Sequence, residues 1–227
     1  KAYFLNNERD RSLEILQQTL ARHDTSVQAY LSLAEFYEAN QQPDQVEVVL
    51  NQGLGRIDTS TVLRLSLGSH LQKIGRSDEA EAVLLTAVER ATDSSRPYFV
   101  LGNFYMSRSR MEDAMEALRL SIEKDENFMP AQKRMAYLLL ASNQVEEGAK
   151  LVTKILKRRK DDIDGLYLKG KIHLMREEDS EALKIMEQVQ GRMNYFVPGM
   201  RPTDLEYNIG LAFYRNGRID DARLAFE

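Results

Sequence analysis

Few side chains in this 227-residue chain have the types and spacing that bond-making chemistry needs. A zinc site or a general base built on His23, His70 or His173 would require acidic, imidazole or hydroxyl partners at helical or loop spacing, and none of the three has them. His23 reads as a turn residue, His70 as a neighbour of a core face, and His173 as a satisfied structural histidine. The chain holds no cysteine, which excludes disulfides, thiolate metal sites and a cysteine nucleophile and sets no redox compartment. No glycine-rich phosphate loop, nucleophile elbow or HExxH motif occurs. The acid runs Glu112-Asp113, Glu146-Glu147 and Glu177-Glu178-Asp179 fall at helix starts, where carboxylates complement the helix dipole. Lys154 with Lys157-Arg158-Arg159-Lys160 closes a helix, where cations suit the C-terminal end. With 31 Lys+Arg against 35 Asp+Glu and a net charge of −4, bulk attraction to nucleic acid or anionic membrane is disfavoured. The reading is of a non-enzyme without catalytic residues, metal site or cofactor.

Recognition is the chemistry that remains, and it belongs to a repeated surface. Ala34, Gly68, Gly102, Ala136 and Gly170 stand 34 residues apart at every step. A small residue recurring at the length of one helical hairpin predicts stacked two-helix units, each burying its apolar face against its neighbours. Numbering the small residue as the eighth of its unit gives repeats 27–60, 61–94, 95–128, 129–162 and 163–202, with partial repeats at 1–26 and 203–227. Positions four, seven, eight and eleven fall on one face of a first helix, as in Leu101, Gly102 and Tyr105. Twelve residues after the small position, Val46, Ala80, Ala114, Gly148 and Ala182 open the buried face of a second helix, followed four later by Leu50, Leu84, Leu118, Val152 and Met186. Polar stretches at Asn40 to Gln42, Gly75 to Ser77 and Asn143 to Gln144 stop one helix and start the next. The step from Gly170 to Gly210 is 40 residues, so six extra residues fall near 191–202, including an apolar stretch around Tyr195 to Met200 broken by Pro198. Backward extension makes Tyr3 an eleventh position and Leu16 and Leu20 second-helix core residues, so the chain is expected to open and close inside repeats, as a segment of a longer protein.

Tyr98, Leu101, Gly102, Tyr105, Ala114 and Leu118, with Leu67, Gly68, Ala80 and Leu84 before them and Ile209, Gly210, Phe213, Gly217, Ala222 and Phe226 at the end, resemble the tetratricopeptide repeat family in its bacterial multi-repeat form. The usual proline is replaced by Asp58, Thr92, Glu126 and Lys160, and Lys169 and His173 occupy normally apolar or aromatic positions. The resemblance implies one all-α domain over 1–227, an α-solenoid in a right-handed superhelix of antiparallel helix-turn-helix repeats. It also implies a concave groove, lined by first helices, that binds an extended peptide or a partner's helix.

Positions two, five, six, nine, twelve and thirteen of the first helix point away from the second. In the early repeats they are mixed and slightly acidic, as in Glu35, Glu38, Ser69 and Lys73. In the later ones they are basic and aromatic, and the partner-binding residues expected there are Arg96, Phe99, Asn103, Lys133, Arg134, Tyr137, Tyr167, Lys171, Tyr207, Asn208 and Tyr214. Cations, rings and amides suit a peptide's carboxylates, apolar side chains and backbone. The carboxylate clamp of chaperone-binding family members is not matched, because Phe99 stands where its first Lys belongs and Arg134 where an Asn belongs. Replacing Tyr137 by Ala together with Lys133 by Glu is expected to remove partner capture and leave melting nearly unchanged.

The expected partner is a protein or peptide, without nucleic acid or membrane insertion. One alternative is self-association, through open array ends or the 195–200 loop, as an assembly module of a bacterial envelope or secretion protein. Another is a regulatory or positioning role for an enzyme elsewhere in a parent chain. No apolar run approaches the roughly 20 residues of a spanning helix, and Lys1 to Asp10 is too polar for a secretory signal. A soluble segment, cytoplasmic or periplasmic and envelope-associated, is expected.

Overall fold

Gly68, Gly102 and Gly170 sit where two helices meet too closely for a side chain. A Cβ on Gly68 would lie 2.6 Å from Leu84 Cδ2, one on Gly102 2.9 Å from Leu118 Cγ, and one on Gly170 2.8 Å from Met186 Cε. Each obstructing residue is the expected second-helix core residue of the same repeat, so the period of small residues is a period of close helix pairs. Ala34 and Ala136 hold the equivalent places, 6% and 0% exposed.

The structure, a computed structural model, describes residues 2–91, 93–196 and 202–227; the side chains of residues 2–7 and 195 are outside that description. The described residues form thirteen α-helices. These are α1 (Ala2–Arg22), α2 (Val27–Ala39), α3 (Pro43–Arg56), α4 (Thr61–Lys73), α5 (Ser77–Arg90), α6 (Ser95–Ser107), α7 (Met111–Lys124), α8 (Met129–Ala141), α9 (Val145–Arg158), α10 (Ile163–Met175), α11 (Asp179–Gln190), α12 (Leu205–Arg215) and α13 (Ile219–Phe226). From α2 onward they pair consecutively as hairpins, the all-α helical-repeat arrangement that the 34-residue period predicts. The chain divides into two compact units, residues 1–125 and 126–227.

The same turn closes every hairpin. Gln41, Gly75, Ser109, Asn143, Glu177 and Gly217 all adopt positive φ, between 55° and 84°. The amide after each donates back five residues, as from Gln42 to Tyr37 O at 3.0 Å, Arg110 to Tyr105 O at 3.0 Å and Arg218 to Phe213 O at 3.0 Å. This satisfies the last carbonyls of the first helix and reverses the chain within three residues. Only Gly75 and Gly217 adopt the left-handed conformation without the steric cost a Cβ brings. The arginine after the turn folds over the ring that precedes it, with Arg110 Cζ 4.3 Å from the Tyr105 centroid and Arg218 Cζ 4.5 Å from that of Phe213.

First helices start on a 34-residue beat too. Ser26 and Ser60 accept from the amides of Ala29 and Leu63, both at 3.3 Å, and Asp162 accepts from Gly165 at 2.9 Å. Within each unit, arginines after the turns tie neighbouring hairpins: Arg110 reaches Glu81 at 2.7 Å and Asp113 at 2.6 Å, and Arg76 reaches Glu47 at 2.5 Å.

One local expectation comes out differently. Helix α1 runs unbroken from Ala2 to Arg22, so the turn implied between Tyr3 and Leu16 is helix. Asn6 and Asn7 are mediocre helix formers but not breakers, and no glycine supplies a left-handed turn there. In the six-residue insertion, Met193–Tyr195 forms one 3₁₀ turn and Phe196, 8% exposed, joins the apolar core of the second unit. The rest of the anticipated 195–200 loop, from Val197 on, lies outside the described residues.

Candidate functional site

Each unit presents its own first-helix face. In residues 1–125 that face is built by α2, α4 and α6, and it contains an open pocket of about 380 Å³. Its apolar wall includes Leu31 on α2, Val62 and Leu65 on α4 and Val100 on α6, and Val46 and Leu50 of α3 also line it. Val62 is 44% exposed, and Ser69 opens onto the pocket from α4. Helical periodicity places these first-helix residues together because positions two, five, six and nine project from the side opposite the second helix.

Charge rims the pocket. Glu35 and Glu38 line it from α2, Lys73 from α4 and Arg96 from α6. Glu38 pairs with Lys73, whose hydrogen bond is the main reason the carboxyl is held below the usual carboxylate range. Glu35 and Arg96 are exposed and available to a ligand. His70 lines the same pocket with its side chain 3% exposed. Its Nδ1 comes within 3.5 Å of Glu38 Oε2, without hydrogen-bond geometry, and among the described residues neither ring nitrogen has a hydrogen-bond partner.

In residues 126–227 the corresponding face, on α8, α10 and α12, is stitched to itself. Lys133 Nζ lies 2.7 Å from both Asp162 Oδ2 and Asp164 Oδ2. Lys171 pairs with Asp204, and its ammonium sits 5.1 Å from the centroid of the Tyr137 ring. The Tyr167 hydroxyl donates to Asp204 Oδ1 at 2.5 Å and accepts from Asn208 Nδ2 at 3.0 Å. Burial and the neighbouring Asp204 carboxylate push the Tyr167 phenol up, while Asp204, which burial alone would raise, is held below its usual range by the hydrogen bonds from Lys171 and Tyr167.

The residues expected to bind a partner therefore divide by environment. Tyr167, 0% exposed, and Asn208, 7% exposed, lie inside the second unit, and Lys133 and Lys171 spend their charge on its own carboxylates. Arg96, Tyr207 and Tyr214 are exposed, both tyrosines at 59%; Phe99, Asn103, Arg134 and Tyr137 are half-buried. Asn103 Oδ1 is buried without a hydrogen-bond partner among the described residues, and burial lowers the pKa of the Arg134 guanidinium. Replacing Lys133 by Glu would gather three carboxylates, so the neutral melting expected of that double variant does not fit this geometry. The missed residues are Asp164 and Asp204. Both occupy position two of a first helix, so their apposition to positions five and nine of the preceding one was present in the repeat numbering.

The basic run on α9 acts within its unit. Arg158 Nη1 donates to Asn127 O at 3.1 Å and Lys154 Nζ to Glu126 O at 3.1 Å. Arg90 does the same to Asp58 O at 3.1 Å and Arg192, two residues past the end of α11, to Asp161 O at 2.9 Å, a repeating stitch from the end of a second helix to the turn before its hairpin. Among the described residues, no group of three or more His, Cys, Asp or Glu is placed to hold a metal ion, and no helix is long and apolar enough to cross a membrane.

Consecutive helix pairs with a shared left-handed turn and a small-residue contact define a helical-repeat protein. Residues 65–127 match the tetratricopeptide repeat family. Its fold is similar to that of a tetratricopeptide repeat protein from Parabacteroides merdae ATCC 43184 (TM-score 0.69, 13% identity, covering 87% of this chain and 76% of the other). It also resembles PilW, described as a widely conserved type IV pilus biogenesis factor (0.66, 20%, 86% and 90%). A third similar structure is YrrB, described as having an unusual peptide-binding site (0.59, 13%, 90% and 99%). At these identities the likeness is one of fold. No curated protein sequence matches the chain. The family is one of protein-interaction scaffolds, and no enzyme family matches.

Proposed function

We propose that this chain is a non-catalytic scaffold that holds an extended peptide or a partner's helix on its first-helix faces, and that the principal site is the pocket across α2, α4 and α6. The observation that carries this reading is the pocket itself, an apolar recess of about 380 Å³ rimmed by the exposed charges of Glu35 and Arg96. Concave, mostly apolar sites with a few fixed polar groups are where ligands are held. The peptide-binding site described for YrrB supports the reading by analogy of fold. Of the residues anticipated from sequence, Arg96 belongs to this site. Arg134, Tyr137, Tyr207 and Tyr214 supply a second face in residues 126–227, favoured by the exposure of the two tyrosines at 59%.

The test is cross-linking of captured partners with the wild-type chain and two variants. Ser69→Tyr fills the pocket from an exposed position, and Asn51→Tyr adds the same ring on the outer surface of α3. A partner that cross-links to α2, α4 or α6, is lost with Ser69→Tyr and is kept with Asn51→Tyr supports the assignment. A partner kept by both variants refutes it.

A further inference from the structure

We infer that the pocket on α2, α4 and α6 selects a peptide of defined charge order: an apolar side chain seated in the recess, a cation on the α2 side and a carboxylate on the α6 side. This rests on the reading of that pocket as a peptide site and goes on to specify the ligand. Three observations converge on it.

The rim is polarised. On α2 the exposed charge is the carboxylate of Glu35, and on α6 it is the guanidinium of Arg96, with Glu38 and Lys73 between them already paired with each other. Among the described residues neither Glu35 nor Arg96 has a charged partner, and a carboxylate at one end with a guanidinium at the other favours opposite charges at the two ends of an occupant and repels the reverse arrangement. Arg96 can also grip a carboxylate through two parallel N–H groups.

The recess between them is apolar and of limited size. Leu31, Val62, Leu65 and Val100 form its wall, so the residue between the two charges is aliphatic or aromatic.

His70 supplies a desolvated polar group. Its side chain is 3% exposed and lines the recess; Nδ1 faces Glu38 Oε2 at 3.5 Å, and Nε2 has no hydrogen-bond partner among the described residues. A buried polar group left without a partner is costly, and a peptide amide or carbonyl delivered to it is gained without further desolvation of the ring. The mixed character of the site, apolar wall with one hungry polar group, fits a segment whose backbone enters along with its side chain.

The spacing follows from helix packing. Neighbouring helices lie about 8–10 Å apart, so α2 to α6 is two steps, roughly 16–20 Å. An extended chain covers about 3.3 Å per residue, which puts cation and carboxylate about five or six residues apart with the apolar residue between.

The experiment is selection of phage-displayed random dodecapeptides on the whole 227-residue chain, followed by fluorescence anisotropy of the enriched peptides. The expected result is enrichment of sequences carrying a Lys or Arg, an apolar residue and an Asp or Glu in that order along the groove, in either chain direction. Glu35→Lys and Arg96→Glu, both exposed positions, should each weaken binding at least tenfold with unchanged thermal melting. A peptide with its cation replaced by Glu should regain affinity for Glu35→Lys. Enriched peptides that are blocked by Ser69→Tyr but indifferent to Glu35→Lys and Arg96→Glu overturn the charge order and leave the pocket assignment standing. Enriched peptides indifferent to Ser69→Tyr, or an absence of enrichment, overturn both.

Discussion

Replacing Gly102 by Leu tests the contact on which the whole array is built. An ideal Cβ at Gly102 lies 2.9 Å from Leu118 Cγ, 3.1 Å from Leu118 Cδ2 and 3.3 Å from Ala114 O. Carbon atoms rest about 3.5–4.0 Å apart, so the first added carbon alone is roughly 0.6–1 Å too close, and three more must follow it into space that Leu118 and Ala114 already fill. Leu118 and Ala114 are both 0% exposed, so neither can swing into solvent. Overpacking of this kind costs about 3 kcal/mol, and leaving glycine for a good helix former returns about 0.8 kcal/mol. The net loss of about 2 kcal/mol corresponds to a melting point lowered by about 4–8 °C in a chain of this size. Gly55→Ala is the matched control: a Cβ there meets nothing within 4 Å, so the substitution gains only from helix propensity, about 0.5–1 kcal/mol. Thermal denaturation followed by circular dichroism reads both. A Gly102→Leu chain that melts at or above the wild type would refute the close approach of α6 and α7.

Three further outcomes follow from the same geometry. Glu177→Gly, at φ 59°, should raise stability by about 0.5–1 kcal/mol by removing a left-handed Cβ, whereas alanine there should not; denaturant midpoints decide it. Tyr167→Phe removes the donor to Asp204 Oδ1 and one of the two acceptors of the Asn208 amide, which keeps Asp204 O, and should cost about 2 kcal/mol, while Tyr207→Phe, at an exposed ring, should be neutral in the same melts. Asp204 titrates below its unfolded value, so its stabilisation is complete above about pH 5 and is lost as pH falls through the native pKa; Asp204→Asn should be less stable than wild type at pH 7, with the gap closing below about pH 4 in melts across that range. A gap that persists unchanged in acid would show that the carboxylate's charge is not what matters there.

The candidate site was half legible. The repeat numbering names the helix positions that face outward, and Leu31, Glu35, Leu65, Ser69 and Arg96 do line the pocket. It favoured the basic and aromatic residues of later repeats because composition shows which cations are present, not whether their charge is already spent. Lys133 and Lys171 are held by Asp162, Asp164 and Asp204, carboxylates 29 to 33 residues away in sequence, and Tyr167 and Asn208 are buried by the same network.

By itself the sequence determined the hairpin period, the close helix pairs and the turns, since each is a local or nearest-neighbour consequence of a residue type: a small side chain at a contact, a polar residue where the chain reverses, a capping oxygen at a helix start. Only the tertiary structure decided which outward residues remain available to a partner. That depends on distances between side chains of successive hairpins, and on whether an opposite charge one repeat away, such as Asp204 for Lys171, lies within reach or, as for Arg96 among the described residues, does not.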